Sequence, residues 1–350
     1  MIVCSVICKA QEGYRISGKI DGVANGSLLL LTNEGDIPDT LAITKVENGA
    51  FVFHGKVERA VAVNIVMTGE EVEIPLILEN TQFMINVRKN EMLIKGGEQQ
   101  DILGYFSRIK TLLVQTCERI QKEYQLAEQV DNKEKMQSLS NLFEETIAIT
   151  REQEKELLEK YADTYAVAYV VASDMYQLEL DTLKVRYDLL GKNARTSVPG
   201  RAVATLISMW ENVKEGNVAP DFTVASLQGD SLSLHSVKGK LKLLHFWTSN
   251  DPVCRRDNVN ILNLYQRFHL KGLEIISVSR DENEQAWMKA INTDGMFWKN
   301  GLDQEARVFH LYGAKALPYT ILLDEENRII AKNLENKVLQ KKINELLKKK

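Results

Sequence analysis

Phe246-Trp247-Thr248-Ser249-Asn250-Asp251-Pro252-Val253-Cys254-Arg255-Arg256-Asp257 is the stretch that decides the fold of this 350-residue chain. The run from Lys242 to Trp247 reads as a strand, and Thr248 to Asn250 as the turn that leaves it. Asp251 followed by Pro252 is a strong helix start: the carboxylate accepts an orphan N–H, and proline's fixed φ suits the first helical position. A helix is therefore expected from Pro252 to Leu270, with Cys254 in its first turn and Asp257 three residues further on. Outward from this core, strands are expected at Phe222 to Ser226 and Leu273 to Ser279, and a hairpin at Tyr319 to Leu323 and Ile329 to Ala331. Helices are expected at Glu284 to Asn292, Arg307 to Leu311 and Leu339 to Lys349. Strand alternating with helix over residues 216–350 predicts an α/β layer.

Upstream the period changes twice. Over residues 98–215 the spacing is helical, with Ile102, Phe106, Ile109, Leu113, Cys117 and Ile120 three and four apart on one face. Glycine and proline are scarce there, which predicts a packed helical connector, with Cys117 as a buried core thiol. Over residues 12–97 the period is two, punctuated by turn residues, and a small all-β domain is expected. Asn48-Gly49 is its strongest hairpin signal, since both positions tolerate positive φ. Residues 1–11 (MIVCSVICKAQ) read as a signal-peptide remnant, an apolar run followed by a small residue. Cys4 and Cys8 then fall outside the mature fold; lipid attachment at Cys8 is the weaker option, because bulky Ile7 precedes it. Cys117 and Cys254 alone make no disulfide framework.

Composition narrows the function. Hydrophobic residues are 44% and charged residues 26%, so the chain has the means to bury a core. The 44 Lys and Arg against 48 Asp and Glu leave no basic excess for a phosphate backbone, and nucleic acid is not an expected partner. The apolar runs, such as Val167 to Ala172, fall far short of the roughly 18 residues that span a bilayer. His54, His235, His245, His269 and His310 show no metal-ligand spacing with the carboxylates, and glycine-rich phosphate loops are absent, so neither metal nor cofactor is expected.

Gly216-Asn217-Val218-Ala219-Pro220-Asp221-Phe222, the strand ending in Phe246-Trp247, Gly272, Asp281, Trp287, Tyr312-Gly313 and Leu317-Pro318-Tyr319-Thr320 together resemble the thioredoxin-like superfamily. Within it they are most similar to the exported TlpA-like and AhpC/TSA-type thiol–disulfide oxidoreductases. The segment with Asp39-Thr40 and Asn48-Gly49-Ala50-Phe51-Val52-Phe53-His54-Gly55 resembles a β-domain found ahead of such domains in secreted proteins of Gram-negative bacteria. The resemblance implies an exported protein of the periplasm or cell envelope, acting on a protein or peptide partner. It implies substrate binding by Trp247, Leu317 and Pro318, the last preceded by a cis bond. It also implies a Cys-x-x-Cys at the helix start, with an acid three residues later. In this register Cys254 is the second cysteine, Asp257 the downstream acid, and Asp251 stands where the attacking cysteine belongs.

Disulfide exchange needs an exposed thiolate and a second thiol to resolve the mixed disulfide, and a carboxylate does neither. The function expected is therefore that of an oxidoreductase-family member whose chemistry is lost or limited to Cys254. One alternative is a non-catalytic peptide-binding module. Another is a one-cysteine peroxidase with Arg255 or Arg256 beside the thiol.

Overall fold

The computed structural model describes residues 13–33, 39–68, 73–88 and 91–348. The stretch expected to be a signal-peptide remnant, with Cys4 and Cys8, lies outside the described residues. The chain divides into two compact units: Met1–Ser173 with Val185–Ala202, and Asp174–Lys184 with Val203–Lys350.

The first unit opens with strands β1 (Tyr14–Ile20), β2 (Leu28–Asn33), β3 (Thr40–Lys45), β4 (Ala50–Gly55), β5 (Val61–Met67), β6 (Glu73–Leu78), β7 (Gln82–Arg88) and β8 (Glu91–Lys95). They form two four-stranded sheets, ordered β4-β1-β7-β8 and β3-β2-β5-β6. Ile16, Phe53 and Phe83 of the first and Leu31, Ile65 and Leu76 of the second share one core, the outcome of alternating strands packed face to face. Asn48 and Gly49 do take positive φ, 51° and 74°. They form the expected two-residue turn, across which Glu47 and Ala50 exchange backbone hydrogen bonds at 2.8 and 2.9 Å, but the strands beyond it join different sheets, β3 pairing with β2 and β4 with β1. It is a corner that carries the chain from one sheet to the other, and it lets Phe51 and Phe53 enter the shared core.

The helical region comprises α1 (Glu98–Gln129), α2 (Lys133–Lys160), α3 (Tyr165–Asp174), α4 (Leu180–Asp188), α5 (Lys192–Thr196) and α6 (Val198–Asn212). Helices α1 and α2 reverse direction at Val130 to Asn132, where Asp131 takes φ 48° and Asn132 caps α2 by accepting the Lys135 N–H at 3.0 Å. They pack along their length.

The second unit holds a seven-stranded sheet of β9 (Thr223–Ser226), β10 (Ser231–Ser233), β11 (Leu241–Trp247), β12 (Leu273–Ser279), β13 (Lys299–Leu302), β14 (Tyr319–Asp324) and β15 (Ile329–Lys332), in the order β10-β9-β13-β12-β11-β14-β15. Helices α7 (Pro252–Phe268), α8 (Glu284–Asp294), α9 (Arg307–Leu311) and α10 (Asn336–Lys348) complete it. Every residue of β11 is buried, as befits a central strand covered on both faces. Strand β12 lies parallel to β11 with Trp247 opposite Ser279, and β14 lies antiparallel with Phe246 opposite Tyr319. The ends of β11 and β12 and the start of β14 therefore meet at one edge of the sheet, where α7 begins.

Strands β10 and β13 were not expected from the residue pattern. Lys299-Asn300-Gly301-Leu302 shows no apolar alternation, and its pairing with β12 and β9 depends on a close approach: a Cβ on Gly301 would stand 2.4 Å from Val224.

Phe268 closes α7 with no exposed surface in the core of the second unit, whereas Phe297 is 82% exposed. Phe268→Ala is expected to destabilise this unit by about 3–5 kcal/mol and Phe297→Ala by less than about 0.5 kcal/mol. Urea unfolding followed by tryptophan fluorescence checks this, since Trp210, Trp247, Trp287 and Trp298 all belong to the second unit.

Candidate functional site

The site is built where β11 hands over to α7. Asp251 is the N-cap residue: its backbone is extended, at φ −95° and ψ 117°, and its Oδ1 accepts the Val253 N–H at 2.6 Å, with Pro252 in the first helical position. The carboxylate thus neutralises the positive end of the helix dipole as well as an orphan donor.

Asp281, just beyond β12, holds the loop before this cap. Its carboxylate accepts from the Ser249 N–H at 2.9 Å, Ser249 Oγ at 2.8 Å, Thr248 Oγ1 at 2.9 Å and the hydroxyl of Ser279. Asp281 is itself buried, so these four donors satisfy a carboxylate that would otherwise be costly to desolvate. Thr248, Ser249, Asp251, Arg280, Asp281 and Leu317 contribute to the lining of an open cleft of about 510 Å³. Arg280 stacks its guanidinium over the Phe309 ring, and Lys315 pairs with Glu179 at 2.6 Å, so both signs of charge border the cleft. The Leu317–Pro318 peptide bond is cis and immediately precedes β14.

Cys254 does not line the cleft. It has no exposed surface and belongs to the same core cluster as Trp247, Ile261 and Trp287, with Leu317 packed against it. Burial pushes its thiol up to about 11. The Thr248 backbone N–H pulls the other way, and the carboxylates of Asp251, Asp257 and Asp281, each a smaller influence, push the thiol further up. At neutral pH it is a protonated core side chain.

Asp257 lies one turn further along α7, where its carboxylate accepts from the Asn336 side-chain amide at 2.9 Å and stands 4.0 Å from Nε2 of the fully buried His245. The Trp298 indole N–H donates to Ser277 Oγ at 2.8 Å, and the same hydroxyl is hydrogen-bonded to His245 Nδ1 at 3.0 Å. Burial drives the imidazole well below its ordinary value, against the opposing pull of Asp257, so the pair is a neutral base beside an acid.

Asp251 and Leu317 thus share the cleft, while Trp247 and Cys254 lie in the core behind it. Arg255 does not turn toward the thiol: its guanidinium makes a bidentate pair with Asp294 at 2.6 and 2.7 Å, and Asn258 donates to the same carboxylate at 2.7 Å. Cys117 is half-buried, not fully buried, because it sits at the rim of a groove between α1 and α2. The anchoring role of Asp281 was not read from the residues; the adjacent hydroxyls of Thr248 and Ser249 were the available signal. Among the described residues no cluster of three potential ligands is placed to hold a metal ion, and no helix is long and apolar enough to cross a membrane.

Removing the cap is a direct test of this geometry. Asp251→Ala is expected to destabilise the second unit by about 0.5–2 kcal/mol, and Asp251→Asn, which still caps, by only a few tenths. Urea titration of the two variants checks the order; equal losses would contradict the capping role.

The Redoxin family model matches residues 214–347, and a domain of unknown function, DUF4369, matches residues 14–103. The chain is 29% identical over 120 residues to the thiol-disulfide oxidoreductase ResA of Bacillus thuringiensis, covering 34% of this chain and 69% of that protein. It is 31% identical over 117 residues to the ResA of Halalkalibacterium halodurans, covering 33% of this chain and 66% of that one. The solved thioredoxin domain of a thiol-disulfide oxidoreductase from Bacteroides vulgatus is 34% identical, with 38% of this chain and 98% of that domain covered and a TM-score of 0.37. Residues 214–347 accordingly form a Redoxin-family domain of thioredoxin-like fold, homologous to the ResA-type thiol–disulfide oxidoreductases and preceded by an N-terminal all-β domain and a helical connector.

Proposed function

We propose that this chain is an exported thioredoxin-like protein in which the disulfide exchange of its relatives is lost, Asp251 standing in place of the attacking cysteine. Its cleft would then bind a protein or peptide segment in the cell envelope without covalent chemistry. The observation that carries this reading is the complete burial of Cys254 behind a capping carboxylate. Exchange requires a thiolate that a disulfide can reach. Here the one cysteine of the motif has no exposed surface and a thiol pushed up to about 11, and Asp251 offers no sulfur. Single-thiol chemistry at Cys254 would require the first turn of α7 to open.

A one-cysteine peroxidase is a poorer fit for the same reason, compounded by Arg255, whose guanidinium is committed to Asp294 and does not hold a thiolate. The cleft, by contrast, is open and chemically mixed. Arg280, Glu282 and Asp251 give it charge of both signs, and Phe309 and Leu317 give it apolar surface, a combination suited to an extended peptide beside the cis Pro318. Export rests on the exported branch that the C-terminal domain resembles.

Two outcomes follow. The natural protein is expected to show no turnover in insulin-disulfide reduction, whereas Asp251→Cys is expected to form an internal disulfide with Cys254 and to gain measurable reductase activity, because the new thiol sits at a helix N-terminus. Turnover by the natural protein would overturn the loss of exchange. A folded Asp251→Cys variant that neither bridges nor reduces would show divergence beyond that one residue. Fractionation of cells expressing the gene is expected to place the protein in the periplasmic or envelope fraction, and a wholly cytoplasmic protein would remove the export reading.

A further inference from the structure

The hairpin of α1 and α2 presents two faces. One carries the groove of about 690 Å³ that includes Cys117, Tyr124, Leu139 and Phe143. At 3.6 residues per turn, Tyr105, Leu112 and Leu126 of α1 and Leu142 and Ile149 of α2 fall on the opposite face. These five are exposed, Leu112 by 62%, Leu126 by 56% and Ile149 by 52%. The ion pair of Glu123 with Lys135, at 3.1 Å, bridges the two helices on this side and marks their common level.

The charges on this face are largely sorted by helix. On the outward side of α1, interleaved with the apolar stripe, stand Arg108, Arg119 and Lys122, with one acid, Asp101, near the helix start; on the outward side of α2 stand Glu145, Glu152 and Glu156, all seven exposed. From this sorting and the exposed apolar stripe we infer that the face is a self-association surface and that its occupant is the same hairpin of a second copy of the chain. Two copies can meet face to face in two symmetric ways. A two-fold axis perpendicular to the helices sets α1 against α1 and confronts basic edge with basic edge. An axis parallel to the helices sets α1 against α2 of the other copy at unchanged height. Basic then meets acidic along most of both seams, with Arg108 within two residues of the level of Glu152 and Glu156 alone near the level of an acid, Asp101. The second arrangement, a four-helix bundle, is the one the charges select.

The size is adequate. Helices of 32 and 28 residues offer a face roughly 40 Å long and two helices wide, about 800 Å², which is the area each partner contributes to a stable interface.

Charge exchange tests the arrangement on the full-length chain. In sedimentation equilibrium at low salt the natural protein is expected to have twice the monomer mass, shifting toward monomer as salt rises. The Arg108→Glu/Arg119→Glu variant and the Glu145→Arg/Glu152→Arg variant are each expected to be monomeric, with circular dichroism confirming retained helix. Mixed one to one, they are expected to restore the dimer, because both seams then pair opposite charges. A natural protein that stays monomeric at about 100 μM, including one that instead floats with lipid vesicles, overturns the proposal. So does dimerisation that survives both charge reversals, which would place the contact elsewhere, or variants whose mixture remains monomeric.

Discussion

The burial of β11 on both faces is the constraint from which the second unit follows. A strand with all seven residues out of solvent must have a neighbour on each edge and a covering layer above and below. Strands β12 and β14 supply the edges in fixed register, and helices such as α7, α8 and α10 supply cover, with Trp287, Ile291, Leu339 and Ile343 in the same core. The chain can leave β11 only at the end of the sheet where β12 also ends and β14 begins. There Asp281 gathers Thr248 and Ser249, which aims the chain into α7 at Asp251. The location of the cleft, the cap and the cis Pro318 are consequences of that one handover.

The same handover decides the chemistry. The positive end of a helix favours an anion, and in the thioredoxin-like relatives that property is expected to support a thiolate. Here the anion is the Asp251 carboxylate, already joined to the Val253 N–H. Cys254 lies buried in the first turn, where desolvation outweighs what the Thr248 N–H contributes. His245 and Asp257 are similarly withdrawn: a neutral imidazole held by Ser277 and a carboxylate held by Asn336. In this arrangement Cys254 and Asp257 serve packing and Asp251 serves capping.

Much of this was legible in the residues. Asp251-Pro252 announces a helix start by local chemistry alone, and the period of two followed by the period near 3.6 separates sheets from helices before any contact is known. What escaped the reading was non-local. The turn at Asn48-Gly49 is encoded locally, but which sheet its second strand joins depends on where Phe51 and Phe53 find a core. Strand β13 carries no pattern of its own and exists because β12 and β9 leave a gap that Gly301 allows it to fill. Asp281 bonds a loop 32 residues away, and Arg255 a carboxylate 39 away, and no spacing rule announces either. Cys117 lies on the helical stripe as expected, yet at its margin, where the seam between α1 and α2 opens into a groove.

The central claim is that Cys254 is a protonated, buried thiol. The most direct measurement is the rate of its alkylation by iodoacetamide as a function of pH, quantified by mass spectrometry, with the half-buried Cys117 of the same chain as reference. The account expects Cys254 to lag far behind Cys117 and to gain reactivity only as pH climbs toward about 11. A Cys254 that reacts faster than a free thiol at neutral pH, with a midpoint below the ordinary value of about 8.5, would contradict it.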